Sequence, residues 1–185
     1  MACNLTIGRN EPCKDSIGGL DSVYFVNYTS GSLATSSQAN GDALIESLPA
    51  ALTVYEYQLK GNSSYTETVN SSRDNGTTFF SQELVLNLKK LTNEMTTQLK
   101  LMAYGRPQIF VHTSAGDTLL VGQREGADVT GGTIQTGAAL GDLYGYSVTF
   151  TGLEPFPAAF VVSASYGNPF GTVTNPPTIV GNTNS

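Results

Sequence analysis

Apolar positions along this chain mostly alternate with polar ones or run in short blocks, the two patterns of β-strands. The first block, "SVYFVNY" at 22–28, is continuous, aromatic and β-branched, which predicts a strand covered on both faces. Gly18 and Gly19 precede it as a turn or a close backbone approach. The polar stretch 29–42 reads as an exposed loop, and "ALIESLPA" reads as either a helical turn or a strand, ended by Pro49. "LTVYEYQLK" and "SYTETVNSS" flank Gly61–Ser63 and predict a hairpin whose polar second arm meets solvent or a neighbouring subunit. "RDNGTT" is a second turn, with Asn75-Gly76 favouring positive φ. The strand after it, "FFSQELVLNLKKL", puts Leu84, Leu86 and Leu88 on one face.

One segment changes period. In "TNEMTTQLKLMAYG", Met95, Leu99 and Met102 fall on one helical stripe, Thr92 or Asn93 can cap the start, and Gly105 and Pro107 stop it. The methionines read as core packing. Strands then resume: "QIFVHT" and "DTLLVGQRE" around the turn "SAGD", and finally "YGYSVTFTGLEP" and "PAAFVVSASY" as a strand pair. Between them lies a glycine-rich stretch, 126–142, expected as a flexible loop long enough to reach beyond the domain. From Gly167 onward Pro, Gly and Asn dominate, which reads as an extended tail, mobile or laid along another chain. The layout is an N-terminal extension (1–21), a β-rich domain (22–166) and a C-terminal tail (167–185). The expected fold is mainly β, an antiparallel β-barrel or sandwich with one packed α-helix.

Composition narrows the functional classes. At 185 residues the chain is long enough for one well-cored domain. Nine Lys and Arg against fifteen Asp and Glu give a net charge of −6, too few cations for a tight nucleic-acid grip. A surface past which DNA merely travels would carry this sign, because like charge prevents sticking. Cys3 and Cys13 are either two reduced thiols or one disulfide; with His112 as the only histidine they do not make up a structural zinc site. The start of the chain lacks the basic head and apolar core of a signal peptide, and no apolar run approaches a membrane span.

Candidate chemistry is thin. His112 lies near Asp117 and several serines, but on a predicted strand and without a nucleophile motif, so it reads as a histidine hydrogen-bonded within the fold. Glu56 and Glu67, on the two arms of the first predicted hairpin, are the candidate carboxylate pair and read as solvated strand charges. The glycine-rich stretch lacks the lysine of a phosphate-binding loop. No catalytic, metal-binding or cofactor-binding residue is expected. A β-rich domain with strong edges and long loops suits self-assembly instead.

The opening, through Cys3, Cys13, Lys14, Asp15, Gly18, Gly19 and the strand Val23 to Tyr28, is similar to the start of tail or virion structural proteins of tailed bacteriophages of Bacteroidetes hosts, including the crAss-like group. The end, "GDLYGYSVTFTGLEPFPAAFV", resembles the closing strands of phage tail-tube subunits, as does the order of strands, one helix, strands over 22–162. The resemblance implies a virion subunit without enzymatic residues, assembled in the host bacterial cytoplasm. It implies a homo-oligomeric ring, hexameric or larger, stacked or single, lining the channel for genome ejection beside neighbouring tail or portal-proximal proteins. On that reading Tyr55, Tyr57 and Tyr65 of the first hairpin, and Gly126, Gly131, Gly132, Gly137 and Gly141 of the glycine-rich stretch, are the expected subunit contacts. The rival expectation is a monomeric carbohydrate-binding or adhesin-like β-sandwich using the three tyrosines as an aromatic patch.

Overall fold

A computed structural model describes residues 8–11, 13–14, 16–28, 33, 35–36 and 44–181. Cys3 and most of the 29–42 stretch lie outside the described residues. The protein is mainly β with one helix, as its patterning predicts. Its strands are β1 (Leu20–Val26), β2 (Thr35–Ser36), β3 (Leu44–Ser47), β4 (Thr53–Gln58), β5 (Ser64–Ser72) and β6 (Thr77–Lys89). After helix α1 (Asn93–Tyr104) come β7 (Gln108–Thr113), β8 (Thr118–Val121), β9 (Asp128–Gln135), β10 (Gly145–Glu154), β11 (Ala159–Val161) and β12 (Thr178–Val180). They form a curled eight-stranded sheet, β12-β4-β1-β7-β8-β11-β3-β2, and a four-stranded antiparallel sheet, β5-β6-β10-β9.

Period two sorts the core into two halves. Val23 and Phe25 of β1, with Ile109 and Val111 of β7, face Leu84, Leu86, Val148 and Phe150 of the four-stranded sheet. Tyr24, Val26 and Phe110 point the other way, into the hollow of the curled sheet, with Ile45, Val54 and Leu120. The central strands are therefore covered on both faces, which is why they read as continuous apolar blocks.

Helix α1 forms where predicted. The Thr92 hydroxyl accepts from the Met95 N–H, and the Gly105 N–H closes on the Leu101 carbonyl. None of its side chains is fully buried; Met95, Leu99 and Met102 lie half-buried against the inter-sheet core. Tyr146 fixes its start. This buried phenol donates to the Thr92 carbonyl at 2.9 Å, accepts from the Thr92 N–H and shares a 2.7 Å hydrogen bond with the Thr96 hydroxyl.

Four expectations are corrected. The segments around Gly61–Ser63 are not a hairpin: β4 pairs with β1, whereas β5 pairs with β6. Gly61 (φ +80°) and Asn62 (φ +57°) are consecutive left-handed residues that turn the chain from one sheet into the other. The real hairpin is β5–β6, turning at the Asn75-Gly76 site. Likewise β10 and β11 are not a pair. β10 lies between β6 and β9, and β11 lies between β8 and β3. Thirdly, the glycine-rich stretch is not a free loop, because its first half is β9, paired along β10 from Asp128 to Gln135. Lastly, the C-terminal stretch packs on its own domain. Phe170 and Val173 are buried in the hollow of the curled sheet, where the Phe170 ring meets Tyr24 at 5.1 Å and Phe110 at 5.2 Å. β12 then runs parallel to β4 as an added edge strand. Backbone hydrogen bonds from Thr172 to Val162 and from Thr174 to Glu46, and from Leu48 back to Thr174, add to these ring contacts in holding a segment whose composition alone reads as unstructured.

Candidate functional site

The sequence-predicted positions divide among three places. Tyr55 and Tyr57 stand on the same face of β4, toward the four-stranded sheet, and both line a cleft of about 780 Å³. Tyr57 is half-buried, its ring edge-on to Phe25 at 5.0 Å, whereas Tyr55 is 40% exposed at the mouth. Tyr65 is not with them: it lies on β5, packed against the inter-sheet core, and its buried hydroxyl has no hydrogen-bond partner among the described residues. The three tyrosines therefore do not make one aromatic patch. Burial raises the Tyr57 phenol above its ordinary value, and burial followed by the nearby Glu67 carboxylate raises that of Tyr65.

The cleft is the open end of the inter-sheet space. Leu88 and Met95, half-buried against the core, contribute to its apolar side. Lys60, Lys89 and Lys90 line it, three of the nine cations in a chain of net charge −6. The local chain path puts them there. Lys60 opens the crossover from β4 to β5, and Lys89 and Lys90 form the elbow between β6 and α1. The Lys89 ammonium donates to the Lys60 carbonyl at 2.8 Å, and the Asn87 side chain donates to the Asn62 carbonyl, so crossover and elbow are tied together. Lys90 holds a left-handed backbone (φ +71°), secured by its N–H to the Tyr144 carbonyl at 2.7 Å. The one ion pair among the described residues, Arg106–Asp128, is not part of this cleft.

The glycines have different tasks. Gly126 (φ +79°) closes a turn between β8 and β9 that is gripped by buried side chains: one Glu154 oxygen accepts the N–H groups of Arg124 and Glu125, and Gln108 donates to the Gln123 carbonyl. Gln82 accepts the Gly122 N–H at 2.9 Å and donates to Glu67, which also accepts the Ala158 N–H. Gly131 and Gly132 lie within β9, at the outer edge of the four-stranded sheet. Gly137 and Gly141 shape the β9–β10 loop, where the Asp142 carboxylate accepts from the N–H groups of Ala138 and Ala139. Those two bonds hold the Asp142 carboxyl below its ordinary value. Leu140, between them, is fully exposed.

The residues considered for catalysis are kept apart. His112 is 1% exposed, and its Nδ1 shares a 2.9 Å hydrogen bond with the Thr118 hydroxyl, not with Asp117. Glu56 and Glu67 are placed on different sheets; Glu56 accepts from Tyr24, and Glu67 belongs to the Gln82 network. Among the described residues no group of three or more His, Cys, Asp or Glu side chains could hold a metal ion, and no helix is long and apolar enough to cross a membrane. The cleft lysines carry no joint signal in the sequence. Lys60 is 29 residues from Lys89, and only the crossover joins them.

No family model, curated protein or solved structure matches the chain.

Proposed function

We propose that the chain is a structural subunit of a phage virion, which assembles into a ring or tube of the tail around the channel for the genome. The observation that carries this reading is the four-stranded sheet, which ends on two long edges unpaired among the described residues, nine-residue β5 on one side and eight-residue β9 on the other. Edges of that length template pairing with another chain. Pairing β5 of one subunit with β9 of the next is a head-to-tail contact, which closes into a ring when the rotation allows. Gly131, with open space around its Cα, leaves room for a neighbouring backbone. The acidic balance supports passage of DNA without tight binding. On this reading the protein resides in the tail, after assembly in the host cytoplasm, and contacts neighbouring tail or portal-proximal proteins. Neither cofactor nor catalysis enters.

Light scattering and negative-stain imaging of the purified protein test it, together with lysine substitutions at two exposed edge residues, Val69 on β5 and Ile134 on β9. Rings or tubes that revert to monomers in V69K and I134K, with unfolding midpoints retained, are expected. A wild-type monomer, alone and at high concentration, counts against the proposal. Glycan-array binding by that monomer would favour the carbohydrate-binding module instead.

A further inference from the structure

The cleft between β4 and the β6–α1 elbow has features that the ring proposal does not use. Its volume is that of a ligand site. Lys60, Lys89 and Lys90 are exposed and have no carboxylate within ion-pair distance among the described residues, although the chain as a whole is acidic. Glu94 and Glu56 also line the cleft, so its charged lining is three lysines against two carboxylates, a small local excess of positive charge. Lys60, Lys89 and Lys90 thus share the cleft with an apolar floor of Tyr57, Leu88 and Met95, with Tyr55 at the mouth, and the Lys89 ammonium donates to the Lys60 carbonyl. Lys90 adds a second sign. A lysine in the left-handed region costs about 1 kcal/mol or more where glycine would sit without strain. Ala51, Asn62, Ser163 and Asn175 hold the same backbone region, but of these five only Lys90 lines the cleft.

We propose that this cleft binds an extended acidic peptide segment of a partner protein, with one apolar side chain seated between Tyr57, Leu88 and Met95 and flanking carboxylates on Lys60, Lys89 and Lys90. Charge complementarity selects an anion. A peptide is favoured over an acidic glycan because Val180 and Gly181, at the end of edge strand β12, line the same cleft and offer backbone groups to a strand laid beside them.

The test is fluorescence anisotropy at low salt with the full chain and a labelled peptide of sequence EELEE. The comparison probes are KKLKK, EESEE and a hyaluronan hexasaccharide. EELEE is expected to bind at least about tenfold tighter than KKLKK, and tighter than EESEE, with affinity falling as salt rises. The triple variant K60Q/K89Q/K90Q is expected to lose about tenfold. Lys90→Gly separates binding from folding: it weakens EELEE while leaving the urea midpoint unchanged or higher. Equal binding of EELEE and KKLKK, full binding by the triple variant, or tighter binding of the hexasaccharide than of EELEE would overturn the proposal. None of these outcomes depends on whether the protein forms rings.

Discussion

At Gly126 a single hydrogen atom decides the backbone. A Cβ there would sit 2.6 Å from the Arg106 carbonyl oxygen, and φ is +79°. Gly126→Ala is therefore expected to cost about 1–3 kcal/mol or more, seen as a lower urea midpoint with an unchanged slope. His112 presents the opposite case, a buried polar side chain with one partner. Its Nε2 has none among the described residues, so the Thr118 hydroxyl at Nδ1 is its whole support. Thr118→Val keeps the shape and removes that partner, and is expected to destabilise by about 1–3 kcal/mol in the same assay. Thr118→Ser, which keeps the hydroxyl, should lose less.

At the scale of elements, the tyrosines facing the inter-sheet space set a pH limit. Burial raises the Tyr57 and Tyr65 phenols above 10.0, so the folded state keeps protons that the unfolded chain releases. Their contribution is complete below pH 10 and is lost as pH rises through the folded values. Urea midpoints measured from pH 8 upward should hold to about pH 10 and then fall, and Tyr65→Phe should flatten part of that fall. The strands and helix behind this behaviour were largely legible in the sequence. Leu84, Leu86 and Leu88 alternate as a strand should, and Thr92 and Gly105 bound the helix as caps should. What the pattern hid was which strands pair. Gly61-Asn62 and the proline-bearing turn after Glu154 carry the same local signals whether the chain folds back on itself or crosses to another sheet. β9 was hidden for a different reason: an edge strand held by backbone pairing, with its side chains almost all exposed, has no apolar alternation to show. The cleft was invisible because its cations come from distant segments. Tyr55 and Tyr57, two of its residues, were in view only as aromatic positions on a strand.

At the scale of the whole molecule, the last described segment is structural. Phe170 fills the hollow between Tyr24 and Phe110, so Phe170→Ala is expected to cost roughly 3–5 kcal/mol by thermal or urea unfolding. The same parallel strand that follows it, β12 on β4, has a consequence in time. Its partners are Thr53–Tyr55 and Thr178–Val180, more than a hundred residues apart. During synthesis β4 emerges long before β12, and Tyr24 and Phe110 long before Phe170. The nascent chain must wait with one sheet edge bare and an aromatic cavity open until residue 180 has left the ribosome. Closure of so long a loop is slow, and a bare strand edge with an open apolar cavity is the kind of surface on which incompletely folded chains aggregate. The yield of soluble protein, read as the soluble fraction after expression, should therefore depend on how fast that last stretch docks onto β4 and into the hollow.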